Sequence, residues 1–126
     1  MKTSSAYAAY SHNNVSIESP EKLIEMLYEG ILRFTAQAKV AMDAQNIEKK
    51  TYWINRSIAI FSELLNTINF DQGDVSYYLN GLYTREIQLL VEANIRNEQE
   101  PLDEVIHVTR QLLEAWRETT KIENVE

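Results

Sequence analysis

Apolar residues recur along this chain at the three- or four-residue spacing of a single helical face, in four successive runs. The first falls at Leu23, Leu27, Ile31, Phe34, Ala38 and Met42, and the second at Ile47, Ile54, Ile58, Phe61, Leu65 and Ile68. Val75, Leu79, Leu82, Leu89 and Ala93 make the third stripe, and Leu102, Val105, Thr109, Leu112 and Trp116 the fourth. The breaks between them carry the chemistry of helix ends. Ser19 stands where an N-cap belongs, with Pro20 at the first helical position and Glu21 near the positive end of the dipole. Asn46 offers a second N-cap, Asn69-Phe70-Asp71-Gln72-Gly73-Asp74 is rich in turn formers, and Asn97-Glu98-Gln99-Glu100-Pro101 again sets a proline to begin a helix.

No stretch alternates with period two over the length of a strand. The pattern predicts helices over 20–44, 47–69, 75–97 and 101–120, the first three about 35 Å long at ~1.5 Å per residue. Connections of about 2–6 residues force consecutive helices to run antiparallel. The expected fold is therefore all-α, an antiparallel up-and-down four-helix bundle over 19–121. An N-terminal aromatic arm or short cap helix (1–18) precedes it, and a short acidic tail (122–126) follows.

Four packed helices each need an apolar face a little over 100° wide, and this chain offers more. At ~100° per residue the first helix is apolar across roughly 240°, with Met26 on one flank of the central line and Tyr28 and Leu32 on the other. The second carries a separate line, Trp53, Ile60 and Leu64, beside its core stripe. Tyr83, Ile87 and Leu90 flank the third, and Ile106 and Leu113 the fourth. A thick core with large aromatics accounts for any one of these flanks. Several together point to a partner site, and the fitting partner is an amphipathic helix laid in a groove. By helical phase the residues placed in that groove are Trp53, Ile60 and Leu64, then Tyr83, Ile87 and Leu90. Tyr7 and Tyr10, three apart in an otherwise small and polar arm, could fold one aromatic turn over it.

Composition narrows the chemistry. The 126 residues hold 12 Lys and Arg against 19 Asp and Glu, for a net charge of −7, and no Cys. An acidic chain of this kind is poorly suited to nucleic acid, whose phosphates are held by Lys and Arg, or to anionic membrane surfaces. Without Cys there is no disulfide framework, thiolate site or thiol nucleophile. Ala6-Tyr7-Ala8 resembles a cleavage site, but no 7–15-residue apolar stretch accompanies it, and no segment approaches the ~20 apolar residues of a membrane span. The expectation is a cytoplasmic protein without membrane insertion. Asn14-Val15-Ser16 is then a glycosylation sequon in form alone.

Glu104-Val105-Ile106-His107 has the Glu-x-x-His spacing of di-iron bundles, but such a site needs two copies and further inward carboxylates. Here Glu104 and His107 fall on the polar side of their helix, so a solvated face is the better reading. Glu21, Glu25 and Glu29 form an acidic ridge, with Arg33 placed to pair with Glu29. No Gly-rich phosphate loop and no Ser/His/Asp grouping is present. The expectation is no enzyme, no metal and no cofactor, with a carboxylate metal protein as the competing reading from the enzyme class.

Several runs together closely resemble the FliS family of flagellar secretion chaperones. They are Ala6-Tyr7-Ala8-Ala9-Tyr10, then Ser19-Pro20-Glu21-Lys22-Leu23-Ile24-Glu25-Met26-Leu27-Tyr28-Glu29-Gly30, Leu82-Tyr83, and Leu112-Leu113-Glu114-Ala115-Trp116-Arg117. They fall in the expected order over nearly the whole chain. The Pro-x-x-Leu-Ile-x-Met-Leu-Tyr-x-Gly run is the most specific of them. One departure is Thr84-Arg85 after Leu82-Tyr83, where many relatives continue with a further aromatic or aliphatic residue. The resemblance implies a cytoplasmic chaperone that binds the disordered C-terminal segment of flagellin, prevents its premature polymerisation and presents it to the flagellar export gate. It also implies that the arm, here Tyr7 and Tyr10, covers hydrophobic surface when no client is bound and takes part in gate recognition. An additional co-chaperone on another face stays open, as does a general helical adaptor that binds some other amphipathic segment.

Overall fold

Two side-chain caps set where the first two helices begin. Ser19 Oγ accepts from the Lys22 amide at 3.1 Å, and Asn46 Oδ1 accepts from the Lys49 amide at 3.0 Å. Each satisfies one of the amides that a helix start leaves unbonded. A computed structural model describes the backbone of residues 19–125 and the side chains of residues 19–121. In it α1 spans Pro20–Asp43, α2 Ile47–Asn66, α3 Asp74–Arg96 and α4 Glu100–Val125, with a one-turn 3-10 helix at Phe70–Gln72. The helices match the expected boundaries to within three residues, except that α4 runs on to Val125, into the segment read as an acidic tail.

Each helix packs along its neighbour in sequence, and α4 returns to α1, closing the antiparallel bundle. The α1–α2 seam is the most extensive and the α3–α4 seam the thinnest. Between the helices lie Leu27, Tyr28, Ile31, Ile54, Phe61, Leu64, Leu90, Leu102 and Val105, all buried. Across the α1–α4 seam Arg117 forks onto two carboxylates, Glu25 at 2.8 Å and Glu29 at 2.6 Å. The Arg117 hydrogen bond holds the Glu25 carboxyl below its ordinary range. Trp116 Nε1 donates to the Glu21 carbonyl at 2.9 Å, and Lys39 Nζ donates to Asp103 at 2.6 Å. The acidic ridge of α1 is thus the edge on which α4 docks, and Glu29 pairs there with Arg117.

The core lines of α2 and α3 differ from the expected ones, because polar residues occupy them. On α2 the buried line runs Lys50, Ile54, Ser57, Phe61 and Leu64, and on α3 Ser76, Tyr83, Glu86, Leu90 and Ala93. Ile47 and Val75, expected at the start of each core stripe, are exposed. Two of the buried polar groups, Lys50 and Ser76, bond backbone left open by a helix end and a turn, and Ser57 bonds within its own helix. Lys50 Nζ donates to the Asn94 carbonyl at 3.1 Å and to Asn97 Oδ1 at 3.2 Å, tying down the last turn of α3. Ser76 Oγ donates to the Asn69 carbonyl at 2.6 Å, and Ser57 Oγ to the Trp53 carbonyl at 3.0 Å.

Glu86 has no such satisfaction. It is 1% exposed, and its Oε1 has no hydrogen-bond partner. Burial pushes its carboxyl up to about 7, against a smaller downward pull from Arg85 and with a further push from Glu104. Burial without a partner penalises the charged form. Between the ordinary value of 4.5 and about 7, the folded chain keeps a proton that the unfolded chain has released. Raising pH through that window therefore destabilises the fold, by about 1.4 kcal/mol per unit.

Two outcomes follow for stability. Glu86→Gln, which cannot ionise, should be roughly 2–3 kcal/mol more favourable relative to the parent at pH 8 than at pH 5, read by urea unfolding at both. A flat difference between the two would show that Glu86 ionises freely in the fold. Gly73 caps α3 at φ +84 and ψ −144, a region L side chains avoid, whereas an added Cβ at Gly81, on α3, meets nothing within 4 Å. Gly73→Ala should cost about 1–2 kcal/mol and Gly81→Ala should add ~0.5–1 kcal/mol, measured as shifts in urea midpoint.

Candidate functional site

The residues expected to line a groove divide by burial. Ile60, Leu64, Tyr83 and Leu90 are core residues, none more than 3% exposed. Tyr83 is locked there, its hydroxyl 2.6 Å from that of Tyr28, its ring 6.0 Å from Phe61. Burial raises both phenol pKa values, so the pair stays neutral. The expectation that these four form surplus surface is thereby corrected. The true core line of α2 passes through Lys50 and Ser57, which turns Ile60 and Leu64 inward.

Trp53 belongs to the α1–α2 seam. Its ring lies 5.3 Å from Phe34 and 4.9 Å from Tyr52. Arg56 closes the outside of this group, its guanidinium 4.9 Å from the Phe34 centroid and donating to the Tyr52 hydroxyl at 2.8 Å. A cation set over an aromatic face covers it without leaving it free. Ile87 is half-buried on α3. Tyr7 and Tyr10 lie outside the described residues.

Open apolar surface does exist, displaced from the expected lines. Thr51 Oγ1 donates to Asn94 Oδ1 at 3.1 Å, which marks the flanks by which α2 and α3 meet. At ~100° per residue, Ile47, Ile58 and Leu65 share the Thr51 flank of α2, and Ile87, Val91 and Ile95 extend outward from the Asn94 flank of α3. Ile58, Leu65 and Ile87 are half-buried, while Ile47, Val91 and Ile95 are 56%, 42% and 77% exposed. By phase they lie on the adjoining flanks of the two helices, on either side of the line along which α2 and α3 meet. At the far end of the same side of α3 stands Tyr77, also exposed, its ring 5.0 Å from exposed Phe70.

The polar residues interleaved along these flanks are Asn55 and Ser62 on α2 and Asn80 and Thr84 on α3. No Asp, Glu, Lys or Arg falls among them, in a chain that is 25% charged, and the one charged residue at the edge is Glu48, beside Ile47 at the start of α2. That gap in the charge pattern is the signal by which the face is legible in sequence. Such a surface can accept an apolar helix face without stranding a buried charge. Among the described residues no helix is long and apolar enough to cross a membrane, and no group of three His, Asp or Glu could hold a metal ion.

Comparison with known proteins identifies the family. The family model described as flagellar protein FliS matches residues 3–123. The chain is 56% identical to the flagellar secretion chaperone FliS of Campylobacter jejuni, over 99% of this chain and 98% of that one. It is 30% identical to the FliS of Bacillus subtilis over 98% of this chain and 92% of that one, and 30% identical to that of Salmonella typhimurium over 94% and 92%. A match of this extent leaves one conclusion: the chain belongs to the FliS family of flagellar secretion chaperones.

Proposed function

We propose that this chain is a cytoplasmic export chaperone that holds the disordered C-terminal segment of flagellin, keeps it from polymerising and hands it to the flagellar export gate. The observation that carries the client-binding part is the apolar-rich face with few charges shared by α2 and α3. A disordered client pays several kcal/mol in ordering when it folds on a partner. Burial at ~25 cal/mol per Å² offsets that cost. This face favours a helix whose apolar residues recur at three- and four-residue spacing, laid between Ile47, Ile58 and Leu65 on one side and Ile87, Val91 and Ile95 on the other. Masking the segment in this way removes it from self-association. The family name of the relatives supports the export role, and no ATP or cofactor enters this reading.

In the same reading, Tyr7 and Tyr10 are the tethered competitor. An arm of 18 residues ahead of α1 carries two aromatic rings that fit the same kind of surface as a client's apolar face. Intramolecular covering keeps the apolar surface from water while no client is present, and the client displaces it.

Calorimetry and size-exclusion chromatography with a flagellin C-terminal peptide test both parts. A one-to-one complex is expected. Val91→Asp and Ile95→Asp should each weaken it by about tenfold or more with helical content unchanged. Ile60→Asp should instead unfold the protein, as should Phe61→Asp, because each puts a charge in the core. Full affinity in both α3 variants would place the client elsewhere. Equal binding of an unrelated amphipathic helix would favour a general adaptor. Removing residues 1–17 should raise client affinity and leave the bundle folded; unchanged or lower affinity would refute competition by the arm.

A further inference from the structure

A concavity lies on the side of α3 away from α2. Along the thin α3–α4 seam, a cleft of about 520 Å³ opens between Leu82, Arg85, Glu86 and Leu89 on α3 and Glu100, Asp103, Glu104, His107 and Val108 on α4. Its walls are of two kinds. Leu82, Leu89 and Val108 offer apolar surface, and the carboxylates of Glu86, Glu100, Asp103 and Glu104 outnumber the one guanidinium of Arg85. Arg85 is itself engaged with Glu104 at 3.6 Å, and Lys39 reaches Asp103 from outside at 2.6 Å. Within this acidic setting Glu86 is buried to 1% exposure with Oε1 unbonded.

A cluster of surface acids would mean solubility and nothing more. The buried, unpartnered carboxylate oxygen is different, because leaving it without a donor costs the fold stability that an outside donor would restore. A compact metal ion does not fit, since no three acidic or imidazole groups among the described residues converge closely enough. An apolar stem ending in a cation does fit: the stem lies against Leu82, Leu89 and Val108 while the head reaches Glu86. We propose that the α3–α4 cleft is a docking site for a lysine or arginine side chain on a helical segment of a partner protein, with Glu86 as its buried counter-ion. The volume exceeds that of one such side chain, so apolar neighbours on the same segment enter with it. The site is separate from the α2–α3 face and does not depend on what that face binds.

Charge complementarity gives the docking a pH signature. The charged and titratable groups that line the cleft with Glu86 are Arg85 on its own helix and Glu100, Asp103, Glu104 and His107 on α4; α1 reaches it only through Lys39 on Asp103, and α2 adds no lining side chain. A bound cation favours the ionised form of Glu86, so docking releases a proton and strengthens as pH rises through neutrality.

The test uses the full chain and two probes, followed by methyl and amide chemical shifts with calorimetry. One is n-butylguanidinium, compared with n-butanol. The other is a helical peptide of Ala, Leu and Glu with a single central Arg, compared with its Arg→norleucine form. Saturable shifts at Leu82, Leu89 and Val108 are expected from the guanidinium at about millimolar concentration, and weaker or none from butanol. The Arg peptide should bind more tightly than the free cation. Its norleucine form should lose about tenfold on the parent chain and little on Glu86→Gln, whose fold the same spectra verify. Affinity should rise from pH 6 to pH 8 in His107→Gln as in the parent, which separates Glu86 from the imidazole. Equal binding of butanol, or of the Arg peptide to parent and Glu86→Gln, overturns the proposal. Binding of n-butylguanidinium together with no binding of the Arg peptide also overturns it, since the cleft would then be a small-cation site.

Discussion

The rotation of α2 and α3 about their own axes decides which side chains this bundle keeps and which it leaves for another molecule. That rotation is fixed by a few contacts. The Tyr28–Tyr83 hydroxyl pair, at 2.6 Å, points the middle of α3 at α1 across the core, and Phe61 packs beside it from α2. Lys50 bonds the Asn94 carbonyl and Asn97, and Thr51 bonds the Asn94 side chain, which pins the start of α2 to the end of α3. With those contacts in place, Ile60, Leu64 and Leu90 turn inward, and Ile47, Val91 and Ile95 turn outward. An error of one flank in this rotation would move the open face to another side.

Once the rotation is set, the four seams differ in what they can offer. The α1–α2 seam is closed by the Phe34, Trp53 and Tyr52 rings under Arg56. The α1–α4 seam is closed by Arg117 on Glu25 and Glu29 and by Lys39 on Asp103. Individually such exposed pairs add little stability, yet they occupy the surface along these two seams with charged groups. The two seams of α3 remain. One is apolar-rich with few charges, and the other is an acidic cleft whose lining includes Glu86, buried and with an unsatisfied carboxylate oxygen. A single helix thus presents two chemically unlike sides, the first suited to an apolar helix face and the second to a basic side chain.

Fold class, helix number and family were legible in the chain because they rest on local rules. Ser19-Pro20, Asn46 and the Gly73 and Asn97 breaks act within a turn or two of themselves, and the resemblance rests on contiguous runs such as Ser19 to Gly30. Helical phase was another matter. Choosing the core line by hydrophobicity alone assumes that strong apolar letters point inward and polar ones outward. Lys50, Ser57, Ser76 and Glu86 break that assumption, since all are buried.

Tertiary packing alone decided the surface. Lys50 is buried because the last carbonyls of α3 need a donor, and that need is visible only when the two helix ends are brought together. Glu86 is buried at the α3–α4 seam, and nothing in its own neighbourhood of sequence requires this. Sequence by itself determined that four amphipathic helices form and pack antiparallel, because hydrogen bonding along a helix and the capping of its ends are short-range. Which flank of each helix became core and which stayed open was settled by contacts between residues tens of positions apart, whose energies exist only in the assembled bundle.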